Sequence, residues 1–465
     1  MFIKSHINFK FLEKPIFRFI IFATLIIISF PTFKFFDHFF QKIFGLNRYL
    51  HFFDLIFFSF LAFCLYKKKR FQRYFSINLS LVILYIILMR LSILFSNGEL
   101  HHRAFNDLFK TTFMILLFSI FLTKNFEKNQ KMIIKCFLFV FFSIALFETI
   151  VGIEQFLLQR PLGFTFLKEP IFGHEFGSSA KILLPSKLNF LTQFIPSQKG
   201  ELIRAHGTFI HPNIFAGFLN ISTLLSLYQL YKAKKRFFFS LFLFLQMSAL
   251  ILTFSRAALA AFILSASIFF LLMVLKKYDV KKMGLVFLSL LIILTAFFSS
   301  FLIERGLVGN LFKSTRAKML DISSNNTRNS LKKVSVNMIK KHPYFGVGYR
   351  NFLIKRDEYF IEKTQRAYVH NIYLLIASQT GLFSLFVFLL LLTKMFKDTF
   401  EFSLNPLTIT CLCITISFLL IGFFDHYPIS THFGNMVFFA CLGFLNYSIR
   451  ISKHPAYSQR AFLYQ

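Results

Sequence analysis

Arg204, His206, His211 and Asn213 fall within ten residues, immediately ahead of a long apolar run. Pro212 and Asn213 mark a helix start there. A guanidinium and two imidazoles therefore stand before a helix N-terminus, whose unpaired N–H groups also favour anions. The plain alternative is an ordinary polar start of a membrane span. Thr253-Phe254-Ser255-Arg256 forms a second cluster. Its arginine can bind phosphate oxygens in a bidentate fork, or simply snorkel to lipid headgroups. Arg328 and the run Lys341-His342-Pro343-Tyr344-Phe345-Gly346-Val347-Gly348 form a third, in which the proline and glycines read as a turn ending an amphipathic segment. His370-Asn371 is the fourth, at the mouth of another apolar run. Histidine as a residue type suits general-base work, because imidazoles in general titrate near neutral pH, although a histidine there can also be merely interfacial. Asp425-His426-Tyr427 adds a further carboxylate and imidazole near the end of the chain.

These residues depend on membrane helices for their placement. The chain has 465 residues, 56% of them hydrophobic, with 74 Phe and no Trp. Apolar runs of about twenty residues match a hydrocarbon core of about 30 Å. They predict an all-α chain with spans near 15–37, 51–66, 75–96, 108–123, 132–157, 210–231, 236–254, 256–275, 283–303, 369–395, 404–424 and 430–449. The stretch from Phe237 to Leu275 is long enough to cross twice. An arginine at mid-bilayer costs about 2.5–3.5 kcal/mol, so a tight turn at Ser255-Arg256 is expected.

Alternate short loops are basic: Lys67 to Arg73, Lys124 to Lys131, Lys232 to Arg236 and Lys276 to Lys282. The positive-inside rule makes these cytoplasmic and sends both long loops, 158–209 and 304–368, to the other side. The expected organisation is five N-terminal helices in 1–157, an outer loop 158–209, four helices in 210–303, a large outer loop 304–368, and three helices with a cytoplasmic tail in 369–465. The first helix reads as an uncleaved span, since no small-x-small cleavage pattern follows it. All four clusters and the Asp425-His426 pair then share the outer side.

The formal net charge of +33 would suggest nucleic acid in a soluble chain, but here cytoplasmic loops absorb part of it. The remainder gathers in loop 304–368, with fourteen Lys and Arg against five acids. Either a general basic bias or an anionic partner such as a phosphorylated lipid explains that excess. Five cysteines lie in apolar runs and point to neither disulfides nor metal. No glycine-rich phosphate loop with Lys-Ser/Thr is present, which argues against ATP. No His-Glu-x-x-His and no cluster of outer carboxylates appears, so no metal site and no cofactor are expected. Arg90 and Glu148 lie inside spans. They are functional candidates by position, yet a mutual ion pair holding two helices together is the favoured reading. A transporter would show midplane polar sites on broken helices and related halves, and the sequence shows neither.

At these residues the chain resembles the O-antigen ligase and polymerase superfamily. The resemblance runs from about Arg204 to Phe444 and rests on Arg204 to Asn213, Ser255-Arg256, Arg328 with His342-Pro343-Tyr344-Phe345-Gly346-Val347-Gly348, and His370-Asn371 followed by Gly381. Where the family's pattern has a second glycine, this chain has Ser384, which puts close packing of that helix in question. The resemblance implies a GT-C-like, inverting, metal-independent glycosyltransferase of the bacterial inner membrane with its site facing the periplasm. Its donor would be an undecaprenyl-pyrophosphate-linked glycan and its acceptor a lipid A-core sugar or a growing glycan. His370 would be the base, and Arg204, Arg256 and Arg328 would bind pyrophosphate. His206, His211, Asn213, Asn371, Asp425 and His426 would be accessory. An O-antigen or exopolysaccharide polymerase is the alternative, followed by a protein O-oligosaccharyltransferase and a polysaccharide transporter or flippase.

Overall fold

The computed structural model describes residues 77–95, 124–167, 169–175, 180–183, 195–198, 201–233, 236–297, 299, 315–359, 367–402 and 404–453. Ten longer helices follow one another among these: α1 (Ile77–Leu94), α2 (Lys124–Leu158), α3 (Pro212–Lys232), α4 (Arg236–Leu252), α5 (Arg256–Leu275), α6 (Lys281–Phe297), α7 (Thr315–Lys341), α8 (Ile372–Phe402), α9 (Pro406–Gly422) and α10 (His432–Lys453). All but α7 fall at the expected spans from 75–96 and from 132–157 onward, α7 lying in the expected loop 304–368, whereas 15–37, 51–66 and 108–123 lie outside the described residues. The all-α expectation needs one correction. Within the first long loop, β1 (Lys181–Leu183) and β2 (Glu201–Ile203) pair antiparallel, with Ile182 opposite Leu202.

Four helical segments among the described residues are long and apolar enough to cross a membrane: Ile134–Leu158, Pro212–Lys232, Arg256–Leu275 and Ile372–Phe402. Shorter apolar helices accompany them at Ser80–Leu94, Arg236–Leu252, Pro406–Gly422 and Val437–Arg450. Large apolar side chains such as Phe139, Phe237, Leu285 and Phe386 are exposed. Water would penalise that surface and lipid does not. The chain is a membrane protein.

α3 is the pivot of the bundle, packing against α2, α4, α5 and α9. Polar side chains bind it to its neighbours, as expected where lipid supplies no hydrophobic drive between helices. Asn220 donates to the Ala258 carbonyl on α5 at 2.9 Å and to Ser417 Oγ on α9 at 3.3 Å. Gln246 of α4 donates to Ser222 and accepts from Ser226. The expected turn is present between α4 and α5: Thr253 to Ser255 separate them, with Phe254 at a left-handed φ of 49°.

α8 is broken. Gly381, at φ 85° and ψ 168°, leaves the helical path. A Cβ there would lie 1.8 Å from the Tyr344 carbonyl oxygen, so glycine is the residue that lets the backbones meet. The turn after α7 fills the break. Val347 and Gly348 N–H groups donate to the Ser378 and Gln379 carbonyls, both at 2.9 Å, and Leu382 N–H donates to the Pro343 carbonyl at 2.8 Å. Backbone groups freed within a membrane protein need such partners. Ser384 is buried and donates to the Thr380 carbonyl. It fits where a second glycine was expected, so packing of this helix is not impaired.

The large loop 304–368 is less open than a loop. It contains α7, whose Leu331, Val334 and Met338 form a satellite core with Val347, Phe352, Val369 and Leu375. These positions recur at helical spacing, and they place α7 beside the head of α8. The reading of Arg90 with Glu148 is corrected. Arg90 is exposed on α1, while Glu148 is buried on α2 and bonds Thr208. Cys136, Cys411, Cys413 and Cys441 are free thiols.

Candidate functional site

Three helix N-termini, those of α3, α5 and α8, meet at one end of the bundle. Each is set by local sequence. Pro212 occupies the first turn of α3, and His211 caps it, its Nδ1 accepting the Asn213 N–H at 3.1 Å. Arg256 begins α5 after the Thr253–Ser255 turn. Asn371 caps α8, its Oδ1 accepting the Leu374 N–H at 2.9 Å, which leaves His370 just ahead of the helix. α9 returns to the same end and delivers Asp425 and His426 beyond Gly422.

A polar chain joins these ends. Buried Arg204 donates through Nε to the Thr253 carbonyl at 2.5 Å and through Nη2 to Asn213 Oδ1 at 2.7 Å. Asn213 Nδ2 donates to Asp425 Oδ2 at 2.8 Å. The other carboxylate oxygen accepts the His426 N–H at 2.8 Å and faces His370 Nδ1 at 3.6 Å. The chain thus runs from the α4–α5 turn beside Arg256, through Arg204 and Asn213, to His370.

Charge follows from burial and neighbours. Burial works to raise the Asp425 pKa, but the contact with His370 and the imidazoles of His426, His370 and His211 overcome it and hold the carboxyl well below its usual range. Asp425 is a fixed anion. His426 is pushed down to about 4, by burial first and against the pull of Asp425. Its Nδ1 pairs with Ser430 Oγ at 2.6 Å, and its ring lies 5.4 Å from that of His370. Burial also pushes His206 down to about 4. That ring stacks on Phe172 and donates through Nδ1 to the Arg204 carbonyl at 2.6 Å. His206 and His426 are therefore neutral, structural imidazoles at neutral pH.

The structure brings together Arg204, His206, His211, Asn213, Asn371, His370, Asp425 and His426, with Arg256 following the turn that Arg204 grips. Arg328 stands apart on α7, one turn before Leu331, which packs in the satellite core with Val369. Two features escaped the sequence reading. Arg350, two residues after the Gly346-Val347-Gly348 turn and at φ 67°, donates to the Ser430 carbonyl at 2.7 Å and so buttresses the residues behind His426. Its position beside a positive-φ turn was the available signal. His370, Asp425 and His426 also offer ligand atoms within 4.8 Å of one another, a set able to hold a cation. No spacing rule joins residues so far apart in the chain.

Residues 239–389 match the family model described as O-antigen ligase. No curated protein matches the chain. The family match supports a place for this chain in the O-antigen ligase/polymerase superfamily. It covers Arg256, Arg328, the 342–348 turn, His370 and Gly381. Arg204 to Asn213 and Asp425-His426 fall outside it, and the polar chain is what connects them to the matched segment.

Proposed function

We propose, from that superfamily placement, that the chain is an O-antigen ligase-like glycosyltransferase. It moves a glycan from undecaprenyl pyrophosphate to a sugar hydroxyl of the lipid A core. The polar chain from the Arg256 turn to His370 carries this reading, because it sets anion-binding groups and a base at one end of the bundle. His370 turns Nδ1 toward a fixed carboxylate, which favours a proton on that nitrogen and leaves Nε2 to accept another. The acceptor hydroxyl oxygen attacks the anomeric carbon as its proton passes to His370 Nε2. The anomeric C–O bond to phosphate breaks, and undecaprenyl pyrophosphate leaves with the electron pair. One displacement inverts the anomeric centre. Arg204 and Arg256 hold the leaving group as its charge grows, with Arg328 on α7 a weaker third. The three helix N-termini favour the same charge. Guanidinium groups serve where a metal otherwise would, so we assign no metal and no cofactor to the reaction.

Lys232 and Arg236, at the facing ends of α3 and α4, and the basic connection Lys276–Lys281 lie at the opposite end of the helices from His370. That supports a site facing the periplasm from the inner membrane, under the division into 1–157, 158–209, 210–303, 304–368 and 369–465. The test uses purified chain in nanodiscs with an undecaprenyl-pyrophosphate glycan. His370→Ala should still bind donor and lose at least about a hundredfold in turnover. Normal turnover of that variant would remove His370 from the chemistry. Glycan profiles of a deletion strain separate the reactions: loss of long glycan from the lipid A core marks a ligase, and a single capped repeat marks a polymerase.

A further inference from the structure

Glu148 is a carboxylate within a membrane-spanning helix, 1% exposed, and the reaction above does not use it. Intramembrane carboxylates are costly and are rarely incidental. Its Oε2 accepts the Thr208 N–H at 2.8 Å, and its Oε1 accepts the Thr208 hydroxyl at 2.5 Å. Two turns further along α2, on the same face, stands Gln155. Gln155 Nε2 donates to the Gly207 carbonyl at 2.9 Å and to Glu169 Oε1 at 2.6 Å, while its Oε1 accepts the His206 N–H at 3.3 Å. Two side chains of one helix therefore grip three successive residues, His206-Gly207-Thr208. Gly207 has φ +59°, and a Cβ on it would lie 2.6 Å from Glu148 Oε2. The carboxylate is seated directly against the backbone of the loop.

Arg204 and Asn213 flank this gripped tripeptide, and the Arg204 Nη2 bond to Asn213 spans it. A shift at Thr208 would move both ends of that bond and the aim of the guanidinium. We propose that Glu148 is a positioning residue: it holds the His206-Gly207-Thr208 segment so that Arg204 meets the donor pyrophosphate. The proposal rests on the donor-site reading of Arg204.

The experiment measures binding of undecaprenyl pyrophosphate and steady-state transfer for the full chain in nanodiscs, with melting temperature followed in parallel. Glu148→Gln keeps the shape and removes the charge that accepts both Thr208 bonds. It should weaken undecaprenyl pyrophosphate binding by about tenfold, the equivalent of one lost charge-assisted hydrogen bond. Turnover at saturating donor should fall as well, since the guanidinium that Glu148 aims also meets the charge growing on the leaving group. Glu148→Asp should give partial rescue. In an Arg204→Ala background, Glu148→Gln should weaken binding no further. Wild-type affinity in Glu148→Gln, or a loss that adds in full to that of Arg204→Ala, overturns the proposal. If Glu148→Gln does not fold, Thr208→Val removes one of the two bonds and is held to the same two criteria. Arg204→Ala binding as tightly as wild type would instead overturn the donor-site reading and the proposal with it.

Discussion

Replacing Asp425 by asparagine separates charge from shape at the base. The carboxylate lies 3.6 Å from His370 Nδ1. Two unit charges at that distance attract by about 4–5 kcal/mol at an effective dielectric of about 20. The His370 side chain keeps 25% of its surface exposed, so solvent screening lowers this to about 2–4 kcal/mol. Only the imidazolium that forms as the hydroxyl loses its proton feels the attraction in full. The loss therefore belongs in turnover, as about thirtyfold to a thousandfold. An amide can also donate to Nδ1 and favour the wrong tautomer, which acts in the same direction. Donor affinity should stay close to wild type, because the amide oxygen introduced by Asp425→Asn can still accept from Asn213. Single-turnover transfer measures the first quantity, and binding of undecaprenyl pyrophosphate the second. Turnover within about threefold of wild type in Asp425→Asn, alongside an inactive His370→Ala, would refute carboxylate assistance while sparing the base.

Arg256→Ala should weaken donor use strongly and Arg256→Lys should recover only part of it, because lysine is a point charge without a fork; full activity in both returns the residue to headgroup contact. Excess EDTA should leave the rate unchanged, whereas added zinc should inhibit by taking the lone pairs of His370, Asp425 and His426; a rate that collapses in EDTA and returns with magnesium or manganese refutes metal independence. His206 is neutral in the folded chain down to about pH 4, against 6.5 for a free imidazole. The unfolded chain binds the extra proton across that window, so stability should be full above about pH 6.5 and fall as the pH drops toward 4. Melting temperatures should show this fall, and His206→Gln should lessen it, His426 contributing the rest; a flat wild-type profile would contradict the burial of these rings.

Local signals were legible in the sequence. Pro212 and Asn213 begin α3, the Arg256 turn divides α4 from α5, and His370 stands ahead of α8. Proline geometry, the cost of a mid-bilayer arginine and capping chemistry each act within a few residues, so one stretch of chain suffices to read them. The site's wiring was not legible. Asn213 meets Asp425 across 212 positions of sequence, and Glu148 meets Thr208 across 60. Apolar periodicity fixes which face of a helix is buried, not which polar group it finds there. Arg90 and Glu148 were paired on charge alone, but the arginine is exposed and the buried carboxylate has backbone and hydroxyl donors. Gly381 read as the end of a motif, because a break inside a continuous apolar run leaves no trace in hydropathy.

That break is the feature that could have argued for transport, since transporter sites sit on discontinuous helices whose unwound backbone coordinates cargo. Here the backbone groups at the break are already occupied. Val347 and Gly348 bond the Ser378 and Gln379 carbonyls, and Leu382 bonds Pro343. A Cβ placed at Gly381 would collide with that filling strand. The discontinuity thus anchors the turn after α7 to the middle of α8, and the same turn leads through Arg350 to Ser430 behind His426. It ties the head of α8, where His370 stands, to the segment that carries Asp425. Holding the proposed base and its carboxylate in register calls for that kind of rigid cross-brace. A carrier that alternates access must let its broken helix move, and a break stapled by three backbone hydrogen bonds opposes that motion.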